Sequence, residues 1–236
     1  MNGDKYSISI DGDVSGVVGA GGELQQEQIR TAQDRPEPKL KILFLAANPV
    51  DTNPLRLGEE VRTIDERLRG TDFRDQIELV QHWAVRITDL SEALLRHDPD
   101  IVHFSGHGSS VGSVILENQD RSSAEVESRT LAELFRIAAK KTRCLVLNAC
   151  YSAAQAARLT ASIDCVVGTA KAIGDDAAIH FAGGFYRGLG YGQSLQASFD
   201  LGRNEIDLAS LGEEKTPQLL HRSDVDPSLI QLVGAP

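Results

Sequence analysis

Two short apolar runs, each ending at a corner of small polar residues, constrain this chain more than any other feature. Residues 101–108 read IVHFSGHG and residues 144–152 read CLVLNACYS. Apolar runs of this length, bounded by Gly or Ser, are expected as strands buried on both faces of a parallel sheet. In such sheets ligands and chemistry collect outside the carboxyl ends of the strands. One strand end then presents His107 and another presents Cys150. A thiol beside an imidazole is the minimal kit for nucleophilic catalysis: the base takes the proton and the thiolate attacks.

The same punctuation recurs from Lys39 onward. Residues 40–47 (LKILFLAA) read as a buried strand. Leu57, Val61, Ile64 and Leu68 recur at helical spacing, which predicts a helix over 57–69 stopped by Gly70. Further strands are expected at 77–82, 101–105, 144–148 and 165–168, and a closing strand at 228–233 (SLIQLV). Helices are expected at 88–96, capped by Thr88 or Asp89 and ended by Asp98-Pro99, and at 130–140, 153–159, 175–189 and 194–208. Residues 114–116 could be one arm of a small hairpin, and 117–129 read as a polar loop. Strands separated by single helices imply a sheet covered on both faces. The expected architecture is a three-layer α/β domain over residues 39–236, with a mostly parallel central sheet of about six strands.

Residues 1–38 differ from the rest. Residues 6–10 alternate like a short strand, Asp11-Gly12-Asp13 reads as a turn, and Val17 and Val18 follow. Residues 19–22 are a glycine-rich run, and a polar stretch closes at Pro36 and Pro38. The segment reads either as a flexible tail or as a small docking hairpin for a partner or for oligomerisation.

A net charge of −10 argues against a nucleic-acid binder, which needs a basic face to neutralise phosphates. It is compatible with basic peptide substrates. No apolar stretch approaches the roughly 20 residues of a membrane span, and the N-terminus lacks the basic and apolar regions of a secretory signal. Three sparse cysteines point to a reducing compartment, hence the cytoplasm. Cysteines and histidines lack the paired spacing of a zinc site. Gly106, Gly108 and Gly112 miss the dinucleotide-binding spacing, and neither a Walker pattern nor a G-x-S-x-G elbow occurs. No cofactor is expected.

Position separates the thiols. Cys144 and Cys165 lie in or beside apolar runs, where buried structural cysteines belong. Cys150 lies past its run, where a strand turns into a helix and backbone N–H groups favour a thiolate. His107 stands between Gly106 and Gly108, which leave its ring room and let a substrate backbone approach. His103 falls inside its strand and reads as packed. His82, His97, His180 and His221 read as surface or packed residues.

HFSGHG followed by LNACYS resembles the caspase-like cysteine peptidases, and within them the CHAT-type branch. KILFLAANPVDTNPLRLGEEVRTIDERLR is similar to the first strand, loop and helix of that branch. GTAKAIGDDAAIHFAGGFYRGLGYGQSLQAS is similar to its segment after the cysteine, and LIQLVGAP to its closing strand. The resemblance implies a Cys/His dyad: Cys150 attacks the scissile carbonyl, His107 manages the protons, and the backbone N–H groups of Gly108 and Cys150 hold the oxyanion. In related enzymes an acidic residue after the cysteine strand receives a basic side chain. Asp175 is the best match and Asp176 the second, although both also suit a helix N-terminus. Arg56 is the counterpart expected if the substrate is acidic instead. Asn148 stands where metacaspase-like relatives carry an aspartate, which speaks against a calcium-dependent enzyme. The resemblance further implies a protein or peptide substrate and a regulatory partner in a prokaryotic defence or stress system. The alternative is a catalytically silent adaptor of the same fold, docking through residues 1–38.

Overall fold

Successive side chains of a strand go to opposite faces, and that alternation builds the two cores of this protein. A computed structural model describes residues 6–10, 14–18, 39–109 and 111–234. The chain divides into two units, Met1–Pro38 and Lys39–Pro236. In the first, β1 (Tyr6–Ile10) pairs antiparallel with β2 (Val14–Val18). The turn expected at Asp11-Gly12-Asp13 and the linker expected from Gly19 to Pro38 lie outside the described residues.

The second unit runs β3 (Leu40–Ala46), α1 (Leu57–Arg69), β4 (Ile77–His82), α2 (Ile87–His97), β5 (Ile101–Ser105) and β6 (His107–Gly108). It continues with β7 (Val114–Glu117), β8 (Ser123–Val126), α3 (Ser128–Ala138), β9 (Cys144–Asn148) and α4 (Ala153–Leu159). Then come β10 (Cys165–Thr169), α5 (Asp175–Gly190), α6 (Leu195–Leu208) and β11 (Pro217–His221). The central sheet has six strands in the order β11-β10-β9-β5-β3-β4. All pairings are parallel except that of β11 with β10. From β3 the chain goes first to β4 on one side and then to β5 on the other. The loops after β3 and β5 therefore diverge at a topological switch point, where α/β sheets open a crevice.

On one face, Ile42 and Phe44 of β3 pack with Leu57, Val61 and Ile64 of α1 and with Phe181 and Phe185 of α5. On the other, Leu43 and Leu45 pack with Leu90 and Leu94 of α2 and with Leu131 and Phe135 of α3. Each fully buried side chain of this size contributes about 1.5–3 kcal/mol, so both helical layers are required. Among the described residues no helix is long and apolar enough to cross a membrane.

Three local expectations are corrected. Helix α2 begins at Ile87, and the Arg86 N–H donates to Asp89 Oδ2 at 3.2 Å, so Asp89 closes a capping box from the third helical position. The 117–129 stretch is not all loop, because β8 pairs antiparallel with β7 and buries Ala124 and Val126 while Glu125 faces out. The closing strand expected at 228–233 is absent. Pro227–Leu229 form a 3-10 turn, started by Pro227 and by Asp226 accepting the Ser228 N–H at 2.9 Å, and Ile230 and Val233 bury into the α1/α5 core. The sixth strand is β11 instead.

Candidate active site

His107 stands two residues past the end of β5 and pairs with Ile115 in the small β6-β7-β8 sheet. Its Nε2 lies 2.8 Å from the Asn53 carbonyl oxygen. A carbonyl only accepts, so the ring proton sits on Nε2 and the lone pair of Nδ1 stays available. The loop that supplies this carbonyl is tied down by the same hairpin that pairs with His107. Glu117 Oε1 accepts the Asn48 N–H at 3.0 Å, and the Asp51 carboxylate accepts both the N–H and the hydroxyl of Ser123 at 2.9 Å. The Val50 N–H donates to the Arg121 carbonyl at 3.0 Å.

Cys150 stands two residues past the end of β9 and is half-buried, with Sγ 3.9 Å from the Ile173 carbonyl oxygen. Tyr151, next to it, has φ 58°, a left-handed conformation that a non-glycine residue adopts only when its surroundings hold it there. Ser152 does the holding: its hydroxyl donates to the Leu147 carbonyl and accepts the Thr169 N–H, both at 2.9 Å. The Tyr151 N–H is turned toward the Lys171 carbonyl at 3.4 Å, so that donor does not face the sulfur. Gly108 shows how near the two corners are. A Cβ there would stand 2.1 Å from the Cys150 carbonyl oxygen and 3.2 Å from its nitrogen, so the two backbones abut and only hydrogen fits between them. The N–H groups of Gly108 and Cys150 thus belong to touching segments.

The other two thiols are buried. Burial pushes Cys144 well above an ordinary thiol and raises Cys165 to about 12.

His107 and Cys150 line one narrow cleft of about 40 Å³ together with Leu55, Arg56, Glu60 and Asp175. The three residues expected to bind substrate meet one another at its mouth. The Arg56 N–H donates to Asp175 Oδ2 at 3.1 Å, and its guanidinium bonds Asp176 Oδ1 and, at 3.1 Å, Glu59 Oε2. The Arg56 hydrogen bond holds the Asp176 carboxyl below its usual range. Asp175 lines the cleft itself, and Asp176 sits outside the lining, bonded to Arg56.

Beneath them lies a buried polar network with no counterpart in the expectations above. Glu60, on the inward face of α1, is 3% exposed. Its Oε1 accepts from His103 Nε2 at 2.7 Å and Asn148 Nδ2 at 2.6 Å, and its Oε2 accepts from the Ser105 hydroxyl. Ser105 and Asn148 are cross-strand partners at the ends of β5 and β9. The Tyr186 hydroxyl lies 3.0 Å from His103 Nδ1. Burial holds the Tyr186 phenol far above its ordinary value, so it remains a donor. His103 is packed, as its position in the strand implies, and it also reaches the site. Nothing in the sequence reading singled out Glu60, and Asn53 acts through its backbone, which leaves no trace in residue type. Among the described residues no group of three or more His, Cys, Asp or Glu is placed to hold a metal ion.

A CHAT domain family model matches residues 19–206. The chain belongs to the CHAT domain family. This CHAT domain is 28% identical over 156 residues, 63% of the chain, to a Roc-COR-CHAT protease from an unknown prokaryotic organism. The match spans 15% of that relative's length. Among solved structures, the Arg-specific cysteine proteinase gingipain R superposes with a TM-score of 0.58 at 10% identity, over 84% of this chain and 48% of the other. A secreted C11 cysteine protease from Bacteroides thetaiotaomicron, solved with an irreversible peptide inhibitor, gives 0.57 at 12% identity, over 78% and 66%. At these identities the likeness establishes the fold, which is that of the caspase-like cysteine proteases.

Proposed function

We propose that this CHAT domain is a cysteine endopeptidase in which Cys150 is the nucleophile and His107 the general base and acid. The observation that carries the reading is the polarised imidazole. His107 Nε2 is committed to the Asn53 carbonyl, which leaves Nδ1 to serve a cleft it shares with Cys150. Nδ1 takes the thiol proton, and the thiolate attacks the scissile carbonyl carbon. The oxyanion is held by the N–H groups of Gly108 and Cys150. The protonated ring then gives its proton to the leaving amine, and the C–N bond breaks to leave a thioester. Water, deprotonated by the same nitrogen, attacks the thioester, releasing the acid and restoring the thiol.

We further propose cleavage after a basic residue, supported by Glu60, a carboxylate in the cleft lining that is bonded by no lysine or arginine among the described residues. Gating by a partner or signal is supported by the narrowness of the cleft, about 40 Å³, and by the Arg56 contacts with Asp175 and Asp176 at its rim. Three free cysteines support a cytoplasmic setting, and the CHAT-type resemblance supports a role in prokaryotic defence or stress.

A peptidyl acyloxymethyl ketone with arginine before the warhead tests the assignment. Labelling is expected at Cys150, absent in Cys150→Ala and reduced roughly 100-fold or more in His107→Ala. Turnover of an identified substrate by Cys150→Ala refutes the nucleophile. Absence of labelling in the unsubstituted protein, even with candidate partners added, favours the silent adaptor.

A further inference from the structure

We propose that Glu60 is the specificity-determining residue of the cleft, the carboxylate that receives the positive end of a substrate's basic side chain. The inference rests on the peptidase reading above and names the group that reads the residue before the cut.

Four observations converge on Glu60. It lines the cleft that holds Cys150 and His107, so it is within the reach of a bound substrate. The two other acids, Asp175 and Asp176, are already engaged by Arg56. None of the donors to Glu60 is a lysine or an arginine. They are His103, Asn148 and Ser105, and a neutral His103 satisfies every bond: the Tyr186 hydroxyl donates to Nδ1 and Nε2–H donates to Glu60. Among the described residues Glu60 thus makes no ion pair with a lysine or an arginine. Finally, a carboxylate accepts about four hydrogen bonds, and three are made here. Oε1 is filled by two donors, while Oε2 has only the Ser105 hydroxyl. One acceptor position remains on a buried carboxylate that lines the cleft, and burial is where a charge-assisted bond is strongest. A guanidinium or ammonium group fills that vacancy and neutralises the anion; a neutral side chain of the same shape leaves both unmet.

Glutamine is the discriminating substitution. In Glu60→Gln the amide oxygen can keep His103 and Asn148, and the amide nitrogen can donate to Ser105, whose hydroxyl also accepts. The remaining position then presents an N–H that repels a cation.

The experiment compares inactivation rates by two peptidyl acyloxymethyl ketones, one with arginine before the warhead and one with citrulline, its neutral isostere. The unsubstituted protein is expected to prefer arginine by roughly 100-fold or more. In Glu60→Gln the ratio is expected to collapse toward unity, with the melting temperature checked in parallel. A fall in both rates with the ratio preserved overturns the proposal and leaves Glu60 a positioning residue. An arginine preference that survives Glu60→Gln but disappears in Asp175→Asn overturns it in favour of the rim. Calorimetry of arginine and citrulline peptides on Cys150→Ala reads binding apart from catalysis, because it needs no turnover. Binding preference for arginine that Glu60→Gln abolishes sustains the inference even if no probe labels the protein. Equal binding of the two peptides sinks the inference whatever the probes do.

Discussion

A thiol reacts through its thiolate, so a cysteine held near 12 is inert at neutral pH. Cys165 is in that state and Cys144, fully buried, is pushed up as well. Brief treatment of the native protein with iodoacetamide at neutral pH is therefore expected to alkylate one residue, Cys150. Mass spectrometry of tryptic peptides checks this, and all three thiols should react once the chain is unfolded. Modification of Cys144 or Cys165 in the native state would contradict the burial that separates them. This sorting was legible in the amino-acid sequence, because Cys150 lies beyond its apolar run and the others do not. Glu60 was not legible. In the run GEEVRT it is one of two adjacent acids on an amphipathic helix, and only its angular position relative to Leu57, Val61 and Ile64 turns it inward while Glu59 faces out. The Asn53 carbonyl was hidden for a different reason: every residue has one, and only the path of the loop selects it.

At the scale of elements, the hairpin β7–β8 and the loop after β3 form one unit around His107. Asp51 is the tie between them, and the bonds from the Ser123 backbone and hydroxyl hold its carboxyl below the ordinary 3.8. A depressed carboxylate stabilises the fold above its unfolded pKa, and that contribution disappears as pH falls through the depressed value. The tie therefore holds at neutral and mildly acidic pH and opens only below 3.8, an outcome that an NMR titration of the Asp51 carboxyl carbon reads directly. Asp51→Ala removes both acceptors at any pH. It is expected to speed amide exchange over residues 48–55 and to lower the Cys150 labelling rate roughly tenfold, because His107 loses its fixed orientation. Unchanged exchange would show that Glu117 and the Arg121 carbonyl hold the loop without it. The elements that escaped sequence reading share a trait. β8 begins at Ser123 and β11 at Pro217, and both carry short apolar content, so their alternation is too brief to register. Conversely, SLIQLV has strand-like residues, but Pro227 and Asp226 commit the preceding backbone to a tight turn.

On the scale of the whole molecule, the order β11-β10-β9-β5-β3-β4 puts the site at the switch point between β3 and β5, with Cys150 supplied by the neighbouring β9. The α1/α5 layer supplies Glu60, Asp175 and Tyr186, while the loops and the small hairpin supply Asn53 and His107. The mostly parallel sheet of about six strands was legible, since buried runs alternating with helices imply it, whereas the strand order was not read from the sequence. The division at Lys39 predicts that residues 39–236 alone melt in one cooperative step, with little change in midpoint from the full chain. Calorimetry on the shortened chain checks it, and a broad, early transition would mean that residues 1–38 complete the core. The contact at Gly108 has a consequence of its own. Since nothing wider than a hydrogen atom separates that corner from the Cys150 main chain, the gap between the two strand ends is gauged by bare backbone. Rim side chains can change, yet that spacing stays the same.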